Sequence, residues 1–257
     1  MCGRYYRQSD KQKIAETFHV ARWAPDVHLS PDYNIAPSTF QPIIRSSPED
    51  GEREVVLMRW GLIPEKIADP DSFKTFSTTN ARAETILEKP IWKAAFQHSR
   101  CLVLLEGFYE WLQRPSLPQP PPIEPGLFGD IAAPAKPAAK PKAGSRPVYK
   151  FEMPDGAPYA LAGLFSEWRP RRGDSRPPLD TISIVTTEAN EITEPIHDRM
   201  PVILRPRDYD RWLNDSDETR PPIDLLRPYE SESMRMTPAN RLVGNVRNNG
   251  PEMLNSA

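Results

Sequence analysis

Apolar residues along this chain fall mainly into short runs rather than at helical spacing. Residues 54–63 (EVVLMRWGLI) and 181–187 (TISIVTT) are aliphatic and β-branched runs of the length that buried strands favour. Residues 100–111 and 148–168 are also typical of strands, and each stretch ends in Glu-Trp. We therefore predict that these last two stretches are neighbouring strands of one sheet.

Helical spacing occurs in few places. Residues 9–20 begin with a Ser or Asp N-cap, and residues 206–215 begin with a proline, which suits the first helical turn. Residues 81–96 predict two short helices separated at Pro90, because proline interrupts a helix. The whole pattern predicts an α+β fold with a sheet-dominated core and peripheral helices.

The clearest change in composition lies at residues 115–147. Ten of these 33 residues are proline, and the second half is a run of Ala, Lys and Pro. Such a segment buries too little apolar surface to offset the entropy of ordering it. We predict a flexible, polyproline-like insertion that joins the two long strand stretches without dividing the chain into two domains.

Composition and charge narrow the functional classes. The 257 residues carry a formal net charge of −2, so DNA binding would require a local basic patch rather than an overall basic surface. Two cysteines make no disulfide framework, and no Cys/His spacing suggests a metal. No apolar run is long enough for a membrane span or a signal peptide. We expect a cytoplasmic protein without metal or cofactor.

One of the two cysteines directly follows Met1. If Met1 is removed, Cys2 presents an amine and a thiol on adjacent carbons, with reference pKa values of about 7.7–8.0 and about 8.5. The thiolate can attack a carbonyl with the amine as base, as in N-terminal nucleophile hydrolases. Alternatively, the amine condenses with an aldehyde and the thiol closes a five-membered thiazolidine. A third interpretation is an incidental, exposed cysteine.

Three further stretches hold groups suited to carbonyl chemistry. Asn80 and Arg82 lie at an expected helix start, where an N-cap and a solvated arginine are the simpler explanation. Glu110 lies between aromatic residues at a strand end, where burial would raise its pKa and suit it to general acid catalysis. His197 follows an acidic stretch, and histidine is the commonest general acid or base, although a lone histidine is more often structural.

Seven motifs occur in order along the chain: MCGRY, YNIAP (33–37), RWGLIP (59–64), NARAET (80–85), GFYEW (107–111), IHDRMP (196–201) and GNVRNNGPE (244–252). Taken together, they resemble the SRAP domain family of abasic-site-processing proteins. The resemblance covers nearly the whole chain apart from the insertion. It implies one SRAP-type domain over residues 2–254, with a β-sheet or barrel-like core.

The resemblance also implies catalytic roles for four residues. Cys2 would form the covalent link to the aldehyde of an abasic site, through its amine first and its thiol second. Glu110 would assist opening of the deoxyribose ring and proton transfers. His197 would relay protons, and Asn80 would position the sugar and the Cys2 terminus.

The DNA contacts implied by the resemblance form a local basic patch. They comprise Arg4, Asn34, Pro37, Arg82 and Arg199, and the expected partner is single-stranded DNA bound by a monomer. We expect Arg82 and Arg199 to contact phosphates rather than to form ion pairs with Glu84 or Asp198. Many relatives carry an aromatic residue after WGLIP, where this chain has Glu65 and Lys66, so a base-stacking wedge there is in doubt.

Two other functions use the same residues. A thiol peptidase or autopeptidase would use Cys2 as nucleophile with His197 and Glu110, because any carbonyl chemistry requires a nucleophile, a base and an acid. A module that binds single-stranded DNA without reacting would leave Cys2 incidental. Stable attachment to an abasic oligonucleotide distinguishes the first function from both alternatives.

Overall fold

The computed structural model describes residues 2–113, 146–214 and 221–256. The helices are α1 (Lys11–Phe18), α2 (Pro90–His98) and α3 (Tyr209–Leu213), and several short 3₁₀ turns also occur. The strands are β1 (Tyr5–Arg7), β2 (Arg22–Trp23), β3 (Asp32–Ile35), β4 (Phe40–Ser46), β5 (Arg53–Trp60), β6 (Asn80–Arg82), β7 (Arg100–Leu105), β8 (Gly107–Trp111), β9 (Val148–Glu152), β10 (Tyr159–Trp168), β11 (Leu179–Glu188), β12 (Arg199–Pro201), β13 (Ile203–Leu204) and β14 (Arg235–Pro238).

The strands form two sheets, one of which closes on itself. Neighbouring strands in the larger sheet run in the order β11, β10, β7, β4 and β5, and β5 then pairs in parallel with β11. This closure makes a five-stranded barrel, to which β2, β6, β12 and β13 add at the sides. The smaller sheet has the order β14, β9, β8, β1 and β3. The α+β class with a barrel-like core and few helices is therefore confirmed.

The two long strand stretches each divide between the two sheets. β7 and β10 pair inside the barrel, whereas β8 and β9 pair in the smaller sheet. The chain changes sheet at Glu106, whose buried carboxylate accepts the backbone N–H groups of Gln8 and Ser9 at 2.7 and 3.0 Å. The prediction that the stretches are neighbours is confirmed, but one sheet for both is wrong, because the chain turns within each stretch.

The helices differ from their predictions at two places. α1 has Asp10 as its N-cap, with the Lys13 N–H donating to Asp10 Oδ1 at 2.8 Å. Pro90 starts α2 instead of separating two helices, because its missing N–H is not needed at the first turn. Asn80 is not at a helix start: residues 80–82 form β6, which lies parallel to β11.

A row of side chains ties β1 to the rest of the smaller sheet. Tyr6 pairs with Gly107, Gly107 pairs with Glu152, and Glu152 pairs with Arg235, so the row crosses four strands. The Tyr6 hydroxyl donates to Glu152 Oε2 at 2.6 Å, and Arg235 Nε donates to Glu152 Oε1 at 3.0 Å. A Cβ at residue 107 would lie 2.6 Å from the Tyr6 ring, so only glycine lets the tyrosine cross β8.

Most of the predicted insertion lies outside the described residues, because the structure describes only residues 146 and 147 of segment 115–147. β8 and β9, which flank the segment, are paired from Gly107↔Glu152 to Trp111↔Val148. The extent of the domain over residues 2–254 stays a prediction. Across the described ranges, no helix has the length and apolar character needed to cross a membrane.

Candidate active site at the N-terminal strand

The start of the chain is held inside the fold. β1 is a central strand between β3 and β8, and the Tyr109 N–H donates to the carbonyl oxygen of Arg4 at 2.9 Å. The pairing Tyr5↔Phe108, carried two residues on, brings Gly3 beside Glu110. Cys2 has 0% of its surface exposed. Residue 2 is therefore fixed in position, unlike a typical chain terminus.

The charge of Glu110 acts on the Cys2 thiol. Burial is the main reason that the pKa of the Cys2 thiol lies well above its usual value, and the negative charge of Glu110 raises it further. Burial also raises the pKa of Glu110 to about 7. The carboxyl predicted to be perturbed by aromatic surroundings is thus poised to gain or lose a proton near neutral pH.

The residues on either side of His197 are joined to the segment after β8 by two hydrogen bonds of Gln113. The Gln113 backbone N–H donates to the Ile196 carbonyl at 2.9 Å, and its side-chain amide donates to Asp198 Oδ1 at 3.2 Å. Burial, reinforced by positive charge nearby, lowers the pKa of His197 to about 4. The imidazole is therefore neutral at pH 7.

The hydrogen bonds of His197 indicate its tautomer. The Arg199 backbone N–H donates to His197 Nδ1 at 3.0 Å, and Asp198 Oδ1 lies 2.9 Å from the same nitrogen. A neutral Nδ1 cannot accept the first bond and donate the second. We take the backbone bond as decisive, because the Asp198 side chain is largely exposed and solvated. The ring proton then lies on Nε2, which makes that nitrogen the hydrogen-bond donor of the ring.

Asn80 in β6 is linked to β1 through its neighbour Thr79 and an aromatic pair. The carbonyl of the preceding Thr79 accepts a hydrogen bond from the Trp60 indole N–H at 2.9 Å. The Trp60 ring packs against the Tyr5 ring, with 5.3 Å between the ring centroids. The Asn80 amide nitrogen donates to Thr79 Oγ1 at 3.2 Å. Among the described residues, its carbonyl oxygen is buried without a hydrogen-bond partner. That oxygen is therefore an unused acceptor.

Nearby carboxylates act on three of the predicted catalytic groups. Besides burial, Glu110 acts to raise the pKa of the Cys2 thiol, and Asp198 acts to raise the pKa of both Glu110 and His197. The site thus combines a terminal segment, a carboxyl that titrates near 7 and a neutral imidazole. The described residues hold no group of three or more His, Cys, Asp or Glu side chains that could bind a metal ion.

Arg4 and Asn34 are engaged with the segment after β14. Arg4 Nη1 donates to Asn34 Oδ1 and to the Val243 carbonyl, both at 2.8 Å. The Asn34 amide nitrogen donates to the Asn245 and Asn248 carbonyls at 2.9 and 2.6 Å. Asn34 is buried, and these hydrogen bonds hold the segment after β14. The role of Asn34 as a DNA contact stays a prediction.

The other predicted DNA contacts differ in exposure. Arg199 forms a bidentate ion pair with Glu84 at 2.5 and 3.0 Å, so the expectation that it would avoid this partner is wrong. The carboxylate compensates the partly buried guanidinium, which also donates to the Thr186 carbonyl. Arg82 is exposed on β6 and Pro37 is half-buried at the end of β3, so both roles stay predictions.

An exposed aromatic residue near Asn80 was missed from the sequence. Phe76 has 88% of its surface exposed and lies in the 3₁₀ turn Thr75–Thr78, directly before β6. Glu65 and Lys66, which directly follow the RWGLIP motif, are also exposed. The sequence feature that could have predicted this exposure is an isolated phenylalanine within the polar stretch KTFSTTN, which offers no apolar neighbours to bury it.

Comparison with known proteins identifies the family. The model of the SOS response associated peptidase (SRAP) family matches residues 1–246. The chain belongs to the SRAP family. One SRAP relative, the abasic site processing protein YoqW of Bacillus subtilis, is 33% identical over 258 residues, covering all of both chains. The abasic site processing protein HMCES of Xenopus tropicalis is 33% identical over 237 residues, covering 87% of this chain and 65% of that protein.

Solved structures share the SRAP fold seen here. A crystal structure of a protein from Bacteroides thetaiotaomicron superposes with a TM-score of 0.73 at 24% identity, covering 98% of this chain and 99% of that one. A phage-related protein from Bordetella bronchiseptica gives a TM-score of 0.59 at 26% identity. The overall fold is therefore shared by proteins of low sequence identity.

Proposed function

We propose that this SRAP protein attaches itself covalently to abasic sites in single-stranded DNA through Cys2, after removal of Met1, and so shields the lesion. The observation that carries the proposal is the fixed and buried position of Cys2 beside Glu110. The names of the relatives, abasic site processing proteins, support the choice of substrate. We further propose that the protein acts as a monomer in the cytoplasm, at DNA.

The proposed reaction is a condensation between the Cys2 terminus and the sugar aldehyde. The Cys2 amine adds to the C1′ aldehyde of the opened deoxyribose and forms a carbinolamine. Loss of its hydroxyl as water leaves an imine. The Cys2 sulfur then adds to the imine carbon while the nitrogen gains a proton, which closes the thiazolidine. One water molecule is released, and no oxidant or metal is required.

Glu110 and His197 supply the proton transfers that these steps need. Protonated Glu110 donates to the departing hydroxyl, and its carboxylate then accepts the proton of the Cys2 thiol, whose pKa is raised by burial. Both forms of a carboxyl that titrates at about 7 are populated near neutrality. Neutral His197 hydrogen-bonds the sugar oxygen from Nε2, and the Asn80 carbonyl oxygen accepts from a sugar hydroxyl.

Single-stranded DNA fits the exposed groups around this site. Phe76 offers an aromatic face for stacking of an unpaired base, and exposed Arg82 offers a phosphate contact on the adjacent strand. An unpaired lesion reaches a buried Cys2 more easily than one within a duplex, because no base pairs must open first.

A denaturing gel tests the proposal directly. Mature protein is incubated with a single-stranded oligonucleotide that carries one abasic site, and we expect a band shift that survives denaturation. Cys2→Ser keeps the amine and should give only an imine, which borohydride traps. A variant that retains Met1 should give no stable adduct. Absence of any adduct with fully processed wild-type protein would exclude the proposal.

A thiol autopeptidase is the second candidate, and the family description as a peptidase favours it. In that reaction the Cys2 thiol would act on a peptide bond, with Glu110 and His197 as acid and base. Intact-mass measurement after synthesis in a system without methionine aminopeptidase distinguishes the two. Loss of Met1 in the wild type but not in Glu110→Gln would support the autopeptidase.

A further inference from the structure

The segment after β14 presents apolar and basic side chains to solvent. Leu242 is 54% exposed and Val246 is 57% exposed, and Arg241 and Arg247 are exposed as well. We call residues 241–248 the C-terminal loop. Single exposed apolar residues are common, so their exposure alone indicates no function. The additional observation is that hydrogen bonds hold the backbone of this loop in place.

The backbone of the C-terminal loop is fixed from outside by residues near the active site. Val243 offers its carbonyl to Arg4, and the Asn34 amide binds the carbonyls of Asn245 and Asn248. Arg4 is two residues from Cys2 in the chain, so the loop contacts the same N-terminal segment. The loop is thus positioned by the same strands, β1 and β3, that position Cys2.

Hydrogen bonds within the loop fix the backbone around both apolar residues. The Leu242 N–H donates to Asn240 Oδ1 at 3.0 Å, and the Leu242 carbonyl accepts from Asn248 Nδ2 at 2.8 Å. The Arg247 N–H donates to Asn245 Oδ1 at 3.1 Å. The asparagines of the GNVRNNGPE motif therefore build the loop. The exposed side chains are free to contact a ligand at little entropic cost, because their backbone is already ordered.

An abasic strand supplies a partner of matching chemistry. The base next to an abasic site has lost a stacking neighbour, so one of its faces is open to water. Leucine and valine side chains can cover such a face without reading its hydrogen-bonding edge. The arginines at both sides of them match the charge of the neighbouring phosphates.

We propose that the C-terminal loop is a base-covering platform, in which Leu242 and Val246 contact the base beside the lesion and Arg241 and Arg247 contact flanking phosphates. This proposal rests on the proposed binding of abasic single-stranded DNA. It predicts a binding contribution separate from the covalent chemistry of Cys2.

Binding is measured by fluorescence anisotropy with a single-stranded oligonucleotide that carries one tetrahydrofuran abasic analogue. The analogue has no aldehyde, so covalent attachment does not contribute. We expect the double variant Leu242→Ser, Val246→Ser to bind about three- to tenfold more weakly. Ile223→Ser, at an exposed aliphatic residue outside the loop, is the control and should bind like the wild type.

Two further oligonucleotides test the proposed contact itself. Each carries the analogue and one neighbouring nucleotide that also lacks its base, on one side of the analogue in the first strand and on the other side in the second. For one side, we expect the wild type to lose the same three- to tenfold in affinity and the double variant to lose nothing more. Additive losses on both sides, or wild-type affinity of a folded double variant, would overturn the proposal.

The basic residues are tested by salt dependence. We expect Arg247→Gln to lower the slope of log affinity against log salt by about one, whereas the control Arg227→Gln, also at an exposed arginine, leaves it unchanged. An equal slope for both variants would contradict the phosphate contact. Adduct formation by the wild type on an aldehyde-bearing strand is scored separately, so failure of the crosslinking proposal and failure of the platform are distinguishable.

Discussion

At the scale of single residues, two side chains of the site titrate outside their usual range for the same physical reason. Burial disfavours the charged form, which raises the pKa of Glu110 to about 7 and lowers that of His197 to about 4. At pH 7 the carboxyl is close to half protonated and the imidazole is neutral. The charge states needed for condensation therefore exist at physiological pH without a metal.

The pH dependence of crosslinking follows from these charge states. The amine must be neutral and Glu110 protonated, so the single-turnover rate should pass through a maximum near neutral pH and fall on the alkaline side as Glu110 ionises. Glu110→Gln should remove that alkaline fall and slow the reaction about a hundredfold at pH 7. Rapid-quench kinetics measure both, with Glu188→Gln, at an exposed strand end, as the control.

Stability gives an independent check on Glu110. Its pKa in the folded protein lies above the ordinary value of 4.5, so the folded state binds its proton more tightly than the unfolded state. The stabilisation is fully present below about pH 4.5 and is lost as the pH rises through 7. Urea denaturation across this window should show a steeper fall in unfolding free energy for the wild type than for Glu110→Gln.

The two arginines predicted as DNA contacts should behave differently when changed. Arg82 is exposed, so Arg82→Gln should lower the salt dependence of DNA binding with little change in stability. Arg199 compensates Glu84 and holds the Thr186 carbonyl, so Arg199→Gln should lower the free energy of unfolding by about 1–3 kcal/mol. Similar unfolding midpoints for the two variants would contradict this distinction.

At the scale of elements, β1 begins three residues after Cys2 and depends on its neighbours for position. Three residues form no stable strand alone, so β3 and β8 on either side, and the Tyr6 side chain across β8, fix its register. Gly107 permits this crossing, because a Cβ there would also lie 2.7 Å from the Phe151 carbonyl oxygen. The glycine of the GFYEW motif therefore serves packing rather than catalysis.

Removal of the Tyr6 hydroxyl tests this arrangement. The hydroxyl donates to the buried Glu152, so Tyr6→Phe should lower the free energy of unfolding by about 1.5–3 kcal/mol. Tyr109→Phe is the matched control, because Tyr109 donates to the neutral Tyr33 carbonyl and should lose only about 0.5–1.5 kcal/mol. Chemical denaturation measures both free energies of unfolding. Equal losses would contradict a stronger contribution from the Tyr6–Glu152 hydrogen bond.

At the scale of the whole molecule, local sequence predicted more of the elements than of their arrangement. The runs at 54–63 and 181–187 correspond to β5 and β11, and residues 9–20 contain α1. Barrel closure between β5 and β11 joins residues more than 100 positions apart, so no local pattern reports it. The same holds for Asn80, whose strand forms only because β11 offers an edge, and which therefore does not cap a helix.

The sequence by itself determined the family, the α+β class and the candidate residues Cys2, Glu110, His197 and Asn80, because motif order and residue chemistry are properties of the chain alone. Tertiary structure decided that Cys2 is buried, that Asn34 and Arg199 are engaged within the protein, and that Phe76, Leu242 and Val246 are exposed. Exposure and ion pairing depend on which distant segments pack together. The surroundings of Cys2 are therefore formed only when the strands that hold these residues have packed together.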